Sequence, residues 1–295
     1  MILKNCLKSK NEEIKQFFTF LLYRVRNDMI FRVASSLSYT SLIAIVPLIA
    51  VMLSIFSAFP VFDNVKEIVQ NTIVQNIVPA TDADVAQYIN DFIRSSAQLT
   101  ALGVVGVAVT AIMLLSTIEN SFNFIFKVKR ARRITAKITL YWTIITLGPL
   151  LLGAAVSIRG YFYTLQRFVP DSVNNFILVG KVLPALLTLT ILIMVYLFMP
   201  NKKLHFLNAL SGALTALILF WVLRSGFAWF MLQNATYKTL YGALAVIPVS
   251  LIWMYLSWSV VIFGAVVTAT LEEFRTSDSK TIQKILIKDK LEKRK

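Results

Sequence analysis

Residues 204–223 read LHFLNALSGALTALILFWVL, twenty positions without an Asp, Glu, Lys or Arg. A helix needs about 20 apolar residues to cross a hydrocarbon core about 30 Å thick. Just upstream, Val182–Met199 (VLPALLTLTILIMVYLFM) is equally free of charge, and only Pro200–Lys203 separates the two. Proline cannot continue the helical hydrogen-bond ladder, and Pro200-Asn201 suits a turn. The pair is expected as a tight helical hairpin in a bilayer. Strands of a membrane barrel would alternate apolar and polar residues, and these segments are continuously apolar.

Working outward, Ser35–Phe59, Ala101–Ile118 and Ile138–Ile158 are also uncharged. Thr239–Leu271 is uncharged over 33 residues, longer than one span needs, so the last span is placed at 245–271. The chain is predicted to be all-α and polytopic, with spans at 35–59, 101–118, 138–158, 182–199, 204–223 and 245–271. Residues 1–34 form a basic segment before them, 60–100 an outer loop, and 272–295 a basic tail. The first span is no signal peptide: it is too long, follows charged sequence and precedes five more spans.

Composition agrees. Of 295 residues, 57% are hydrophobic and 15% charged, against about 25% charged in soluble domains. Disorder is excluded by the apolar content. The single Cys6 excludes a disulfide framework and a CxxC metal site. Lys and Arg nevertheless outnumber Asp and Glu 30 to 15. Sorted by loop, 23 basic residues fall on the side of both termini and 6 on the other, with Arg224 at a span end. By the positive-inside rule both termini are cytoplasmic, as an even number of spans requires. The cytoplasmic side then has 23 basic and 9 acidic residues, and the outer loops 6 of each. The basicity is a topology signal plus attraction to anionic inner-leaflet headgroups, and no nucleic-acid partner is expected.

Amphipathic patterns lie between and beside the spans. Val65, Ile68, Val69, Thr72, Ile73, Ile77 and Val85, Tyr88, Ile89, Phe92, Ile93 predict two outer surface helices, the second opened by Thr81-x-x-Asp84, a capping-box variant. Ile14, Phe17, Phe18, Leu21, Leu22 and Val25 predict another on the cytoplasmic side. The tail, with Ile282, Ile285 and Leu286, is either a surface helix or disordered.

No catalytic constellation is legible. His205 is the lone histidine, and no phosphate loop, metal-ligand cluster or GxSxG is present. No catalytic residue, metal ligand or cofactor site is assigned, and no enzyme is expected. No acidic residue sits mid-span, which disfavours a carboxylate-driven proton antiporter. Pro47, Pro149, Pro184 and Pro248 lie inside spans, where each is expected to kink its helix. Ser36, Tyr39 and Thr40 share one helical face, as helix glue or as the lining of a polar crevice. Glu119, Asn120 and Asn123 form a polar cluster just before a basic loop. Arg224 lies among Trp221, Phe227, Trp229, Phe230, Tyr237 and Tyr241. Arg159 lies beside Tyr161, Phe162 and Tyr163. Both sets read as interfacial belts or as guanidinium contacts to lipid phosphate.

Tyr237-Lys238-Thr239-Leu240-Tyr241-Gly242-Ala243-Leu244-Ala245, leading into Ile252-Trp253-Met254-Tyr255-Leu256-Ser257, resembles the signature of the YihY/BrkB family of bacterial inner-membrane proteins. Ser38-Tyr39-Thr40-Ser41-Leu42 with Pro47, and Asn123-Phe124-Ile125-Phe126 before the arginine cluster, are similar to that family in the same order. The resemblance covers residues 20–275 and implies six spans, cytoplasmic termini and an inner-membrane location. One departure is Gly264-Ala265-Val266, where many members have Gly-Ala-Glu; Glu272 and Glu273, beyond the span, are poor geometric substitutes. Some members have been labelled a tRNA-processing ribonuclease. The cytoplasmic face lacks the clustered acids or histidines such chemistry needs.

The resulting expectation is a protein that handles or translocates a lipid or another amphipathic anion. The alternatives are an envelope scaffold or assembly factor and, least supported, a ribonuclease. The candidate contact residues are Ser36, Tyr39, Glu119, Asn123, Arg159, Arg224, Tyr241 and Gly242. The expected partners are membrane lipids with anionic inner-leaflet headgroups, and a further copy of the chain or an envelope protein.

Overall fold

A computed structural model describes residues 2–58, 101–146, 174–233 and 246–276. Their regular structure is entirely helical: α1 (Ile2–Asn27), α2 (Ile30–Ala58), α3 (Ala101–Ile125), α4 (134–146), α5 (Asn174–Phe198), α6 (Phe206–Gln233) and α7 (Val246–Thr276). The outer-loop patterns of 60–100 with their capping box, the second half of the third predicted span with Pro149, the Tyr241-Gly242 motif, Arg159 and the tail beyond Thr276 lie outside the described residues.

α7 is the central helix. It packs against α2 on one side and α6 on the other, with α3 beyond α2, α5 beyond α6, and α1 against it as well. The sequence of α7 explains this position. Ile262, Ala265, Val266, Thr268, Ala269 and Thr270 are all buried, and the small residues let neighbouring backbones approach. A Cβ on Gly212 of α6 would collide with Thr268 Oγ1 and the Gly264 carbonyl; one on Gly264 would lie 2.8 Å from the Gly212 carbonyl and 2.9 Å from Ala216 Cβ. Lipid is as apolar as leucine, so helices in a bilayer associate through such close packing and through interhelical hydrogen bonds. Two bonds of that kind lock α7: Tyr196 Oη donates to the Val261 carbonyl at 2.8 Å, and Trp258 Nε1 donates to Ser41 Oγ at 3.0 Å.

The outward faces are apolar. Leu207, Ile218, Trp221 and Trp229 on α6 and Trp142 on α4 are exposed. Among the described residues two helices, Phe206–Met231 and Pro248–Thr276, are long and apolar enough to cross a membrane, and Val109–Ile125 and Pro184–Phe198 are shorter apolar helices. Only 22% and 33% of the residues in the apolar windows of the two long helices are buried, whereas the core helix of a soluble protein is mostly covered. The expected hairpin is present: α5 and α6 pack together across the short link Met199–His205.

The helices outrun the charge-free windows. α6 continues from Leu223 to Gln233 through Arg224, α3 from Ile118 to Ile125 through Glu119 and Asn123, and α5 starts at Asn174 rather than Val182. Hydropathy marks only the hydrocarbon depth, while backbone hydrogen bonding continues into the polar interface. Pro248 is the third described residue of α7. Pro184 does sit inside α5, and α2 runs on through Pro47.

Two tight reversals organise one end. Met29, with φ of 47°, separates α1 from α2. Lys127, with φ of 51°, terminates α3; Val128 N donates to the Asn123 carbonyl and Lys127 N to that of Phe124. That is a Schellman cap closed by a residue other than the usual glycine.

Candidate functional site at the charged end of the bundle

The ends of α1, α3, α5 and α7 and the beginnings of α2, α4 and α6 converge at one end, linked by side chains from distant parts of the sequence. Arg24 is buried, its side chain 1% exposed. It reaches Asp28 Oδ2 through Nε at 2.9 Å, Glu273 Oε2 through Nη1 at 3.2 Å, and donates through Nη2 to the Ile125 carbonyl. Lys127 Nζ completes the cluster, 3.1 Å from Glu273 Oε1. Burial raises the Asp28 carboxyl above its ordinary value of 3.8, against the opposing pull of Arg24 and Lys127.

A second cluster surrounds Glu119, 2% exposed on α3. Tyr141 Oη of α4 donates to Glu119 Oε2 at 2.6 Å; Arg132 Nε is 3.5 Å and Lys137 Nζ 3.9 Å from the carboxylate. Arg132 Nη2 also donates to the Phe198 carbonyl at 2.8 Å, tying the loop after α3 to the end of α5. Asn123 Oδ1 accepts from Asn201 N at 2.8 Å, and Asn201 Nδ2 donates to the Arg130 carbonyl at 3.0 Å. In a third cluster Glu272 accepts from His205 N at 3.2 Å and Asn208 Nδ2 at 2.7 Å, with His205 Nδ1 2.8 Å away. A carboxylate at the start of α6 satisfies an otherwise unbonded N–H and favours the positive end of the helix dipole.

The buried groups at this end are therefore occupied with one another, save Arg132 Nε, which is buried without a hydrogen-bond partner among the described residues. The exposed groups are not. Lys129, Arg130 and Arg133 on one loop and Lys202 and Lys203 on the next are exposed, and none has an acidic partner among the described residues. Asn201 and Arg132 fasten those loops together. Ile134, Ile138 and Trp142, four residues apart on α4, carry an exposed apolar stripe away from Arg133.

Of the sequence-derived candidates, Glu119 and Asn123 come together here. Ser36 and Tyr39 do not: both are exposed on the outward face of α2, Tyr39 at 62%. Among the described side chains of α2 the buried hydroxyl is Ser38, and Ser41 bridges to α7. Arg224 is exposed on α6, 18 residues and about 27 Å along the helix from Phe206, so it belongs to the opposite end. Val266 is fully buried in α7, and Glu272, six residues further along the helix, is already engaged with His205. Sequence reading passed over Arg24, Arg132 and Glu272. A signal for Arg24 existed, since it lies seven residues after Phe17 and shares the face of Phe20 and Leu21. Among the described residues no three His, Cys, Asp or Glu side chains group to hold a metal.

Long helices with lipid-like outer faces around a close-packed centre, closed at one end by paired charge, define a helical membrane protein. The sequence comparisons make the class specific. Residues 21–284 match the family described as Virulence factor BrkB, and the chain belongs to that family. It is 37% identical over 258 residues to a UPF0761 membrane protein of Photobacterium profundum, covering 87% of this chain and 81% of the relative. A UPF0761 membrane protein of Vibrio parahaemolyticus is 39% identical, with 87% and 82% covered, and one of Aliivibrio fischeri 40%, with 88% and 84% covered. None of these names is that of an enzyme. No solved structure matches the chain.

Proposed function

We propose that this protein sits in the bacterial inner membrane with its charged end in the cytoplasm, and that it handles or translocates a lipid or similar amphipathic anion without catalysing a reaction. The observation that carries this reading is the pairing of five exposed cations, Lys129, Arg130, Arg133, Lys202 and Lys203, with the exposed stripe Ile134, Ile138 and Trp142. A lipid has that same order of parts, an anionic headgroup followed by an apolar chain. Guanidinium groups match phosphate oxygens in a bidentate fork, and loops already fastened by Asn201 and Arg132 lose little freedom on binding. The 23 to 6 bias of basic residues favours the cytoplasmic side for this end.

Reconstitution tests it. Proteoliposomes holding fluorescent phosphatidylglycerol are exposed to an impermeant quencher, and the rate at which inner-leaflet lipid becomes accessible is measured. The protein is expected to raise that rate over empty vesicles, and Arg130→Ser with Arg133→Ser and Lys202→Ser to lower it about tenfold or more, the equivalent of about 1.4 kcal/mol. Equal rates with and without protein would overturn the reading.

A further inference from the structure

The apolar arc of α1 is wider than the bundle covers. Phe20 and Leu21 are buried, and the rings of Phe17 and Phe20 lie 5.5 and 5.8 Å from that of Phe274 on α7. The same apolar pattern includes Phe18 and Leu22, which stand outside the contact, 57% and 65% exposed. At about 100° per residue they are neighbours on successive turns, about 40° apart. Lys15 and Arg26 come next around the helix within about 40° of Leu22. Both are exposed, as is Arg32 just beyond the turn. Lys15, Arg26 and Arg32 have no acidic partner among the described residues. Met29 and Phe31 extend the exposed apolar edge past the turn.

α1 is also held against rolling. The Arg24 side chain on its inner face is anchored to Asp28, to Glu273 of α7 and to the Ile125 carbonyl of α3. The overhanging edge therefore keeps one orientation relative to the bundle. An apolar edge bordered by exposed cations is the pattern of a helix lying in a membrane interface, with apolar side chains about 5–10 Å into the headgroup–acyl boundary.

We propose that α1 is a fixed interfacial helix whose partner is the anionic leaflet around the bundle: Phe18 and Leu22 enter the acyl boundary, and Lys15, Arg26 and Arg32 meet lipid phosphates. The charge of these three exposed cations selects an acidic leaflet over a second basic copy of this chain. The proposal rests on membrane location, not on lipid translocation, and uses a surface separate from the loops carrying Arg130 and Lys202.

The test uses the full chain with Cys6→Ser and single spin labels at Leu22→Cys, Phe18→Cys and Thr19→Cys, in nanodiscs of phosphatidylcholine alone or with a quarter phosphatidylglycerol. Collision with oxygen reports the acyl region, and collision with a water-soluble nickel chelate reports solvent. Labels at 18 and 22 are expected to favour oxygen several-fold over the label at 19, and more so with phosphatidylglycerol. Lys15→Gln with Arg26→Gln and Arg32→Gln should abolish that lipid dependence. Labels at 18 and 22 as open to nickel as the label at 19 would overturn the proposal, as would spin–spin broadening that shows them buried against a second copy. Unchanged melting of each labelled protein separates these outcomes from misfolding, because all three positions are exposed.

Discussion

At the scale of single residues, Arg24 is a guanidinium on the apolar face of a helix, stable there because two carboxylates and a carbonyl receive it. Removing one member of a buried ion pair strands its partner and costs about 3–5 kcal/mol. Arg24→Met is therefore expected to lower the thermal midpoint of the detergent-purified protein sharply, since Asp28 and Glu273 are left facing each other. Asp28→Asn should be much milder, because Glu273 and the Ile125 carbonyl still engage Arg24. The two variants also differ in pH dependence. Folding raises the Asp28 carboxyl, so the ionised form costs stability at neutral pH, and that cost is relieved as pH falls through the folded value. The stability of the native protein relative to Asp28→Asn should rise as pH falls from that raised value down to the ordinary carboxyl value of 3.8. A difference in midpoint that stayed constant with pH would contradict this. Helical spacing carries a signal for Arg24, on the face of Phe20 and Leu21, although the sequence reading did not single it out. The bond from His205 to Glu272 joins residues 67 apart in sequence, and no local pattern encodes it.

At the scale of elements, the α6–α7 crossing depends on Gly212 and Gly264. Any side chain larger than hydrogen at either must displace the backbone or Thr268 of the facing helix. Gly212→Leu and Gly264→Leu are expected to separate α6 from α7 and to abolish recovery of monodisperse protein. Gly226, also on α6, faces open space: a Cβ added there would meet nothing within 4 Å. Gly226→Ala should therefore be tolerated and should gain up to about 1 kcal/mol of helix propensity. Recovery of monodisperse protein in detergent, with thermal unfolding of what is recovered, separates the three, and a destabilised Gly226→Ala or an unaffected Gly264→Leu would refute the packing account. The existence of these helices followed from uninterrupted apolar runs, because backbone groups in hydrocarbon have no partner except their own helix. Their ends did not follow, since Arg224 and Glu119 are charged yet remain helical in the interface. Nor did the choice of facing hydroxyls on α2: Ser36, Ser38 and Ser41 are the same residue type, and only packing against α7 makes Ser41 the one that binds Trp258.

At the scale of the whole molecule, the charged end of the bundle and the grouping of basic loops by sequence are separate observations. Counting basic residues by loop put 1–34, 119–137, 200–203 and the tail on one side without knowing what touched what. The structure brings Arg24, Glu119, Arg132, Asn201, His205 and Glu273 together at one end through contacts in which the loop count played no part. The ends of α1, α3, α5 and α7 and the starts of α2, α4 and α6 all lie there. The positive-inside rule then gives the end its expected orientation. In a Cys6→Ser background, Lys202→Cys marks the charged end of α6 and Gln233→Cys the other, 27 helical residues after Phe206 and so about 40 Å away. An impermeant maleimide should label Gln233→Cys in right-side-out membrane vesicles and Lys202→Cys only in inverted ones. The reverse pattern would invert the orientation, and labelling of both from one side would show that α6 does not span the bilayer.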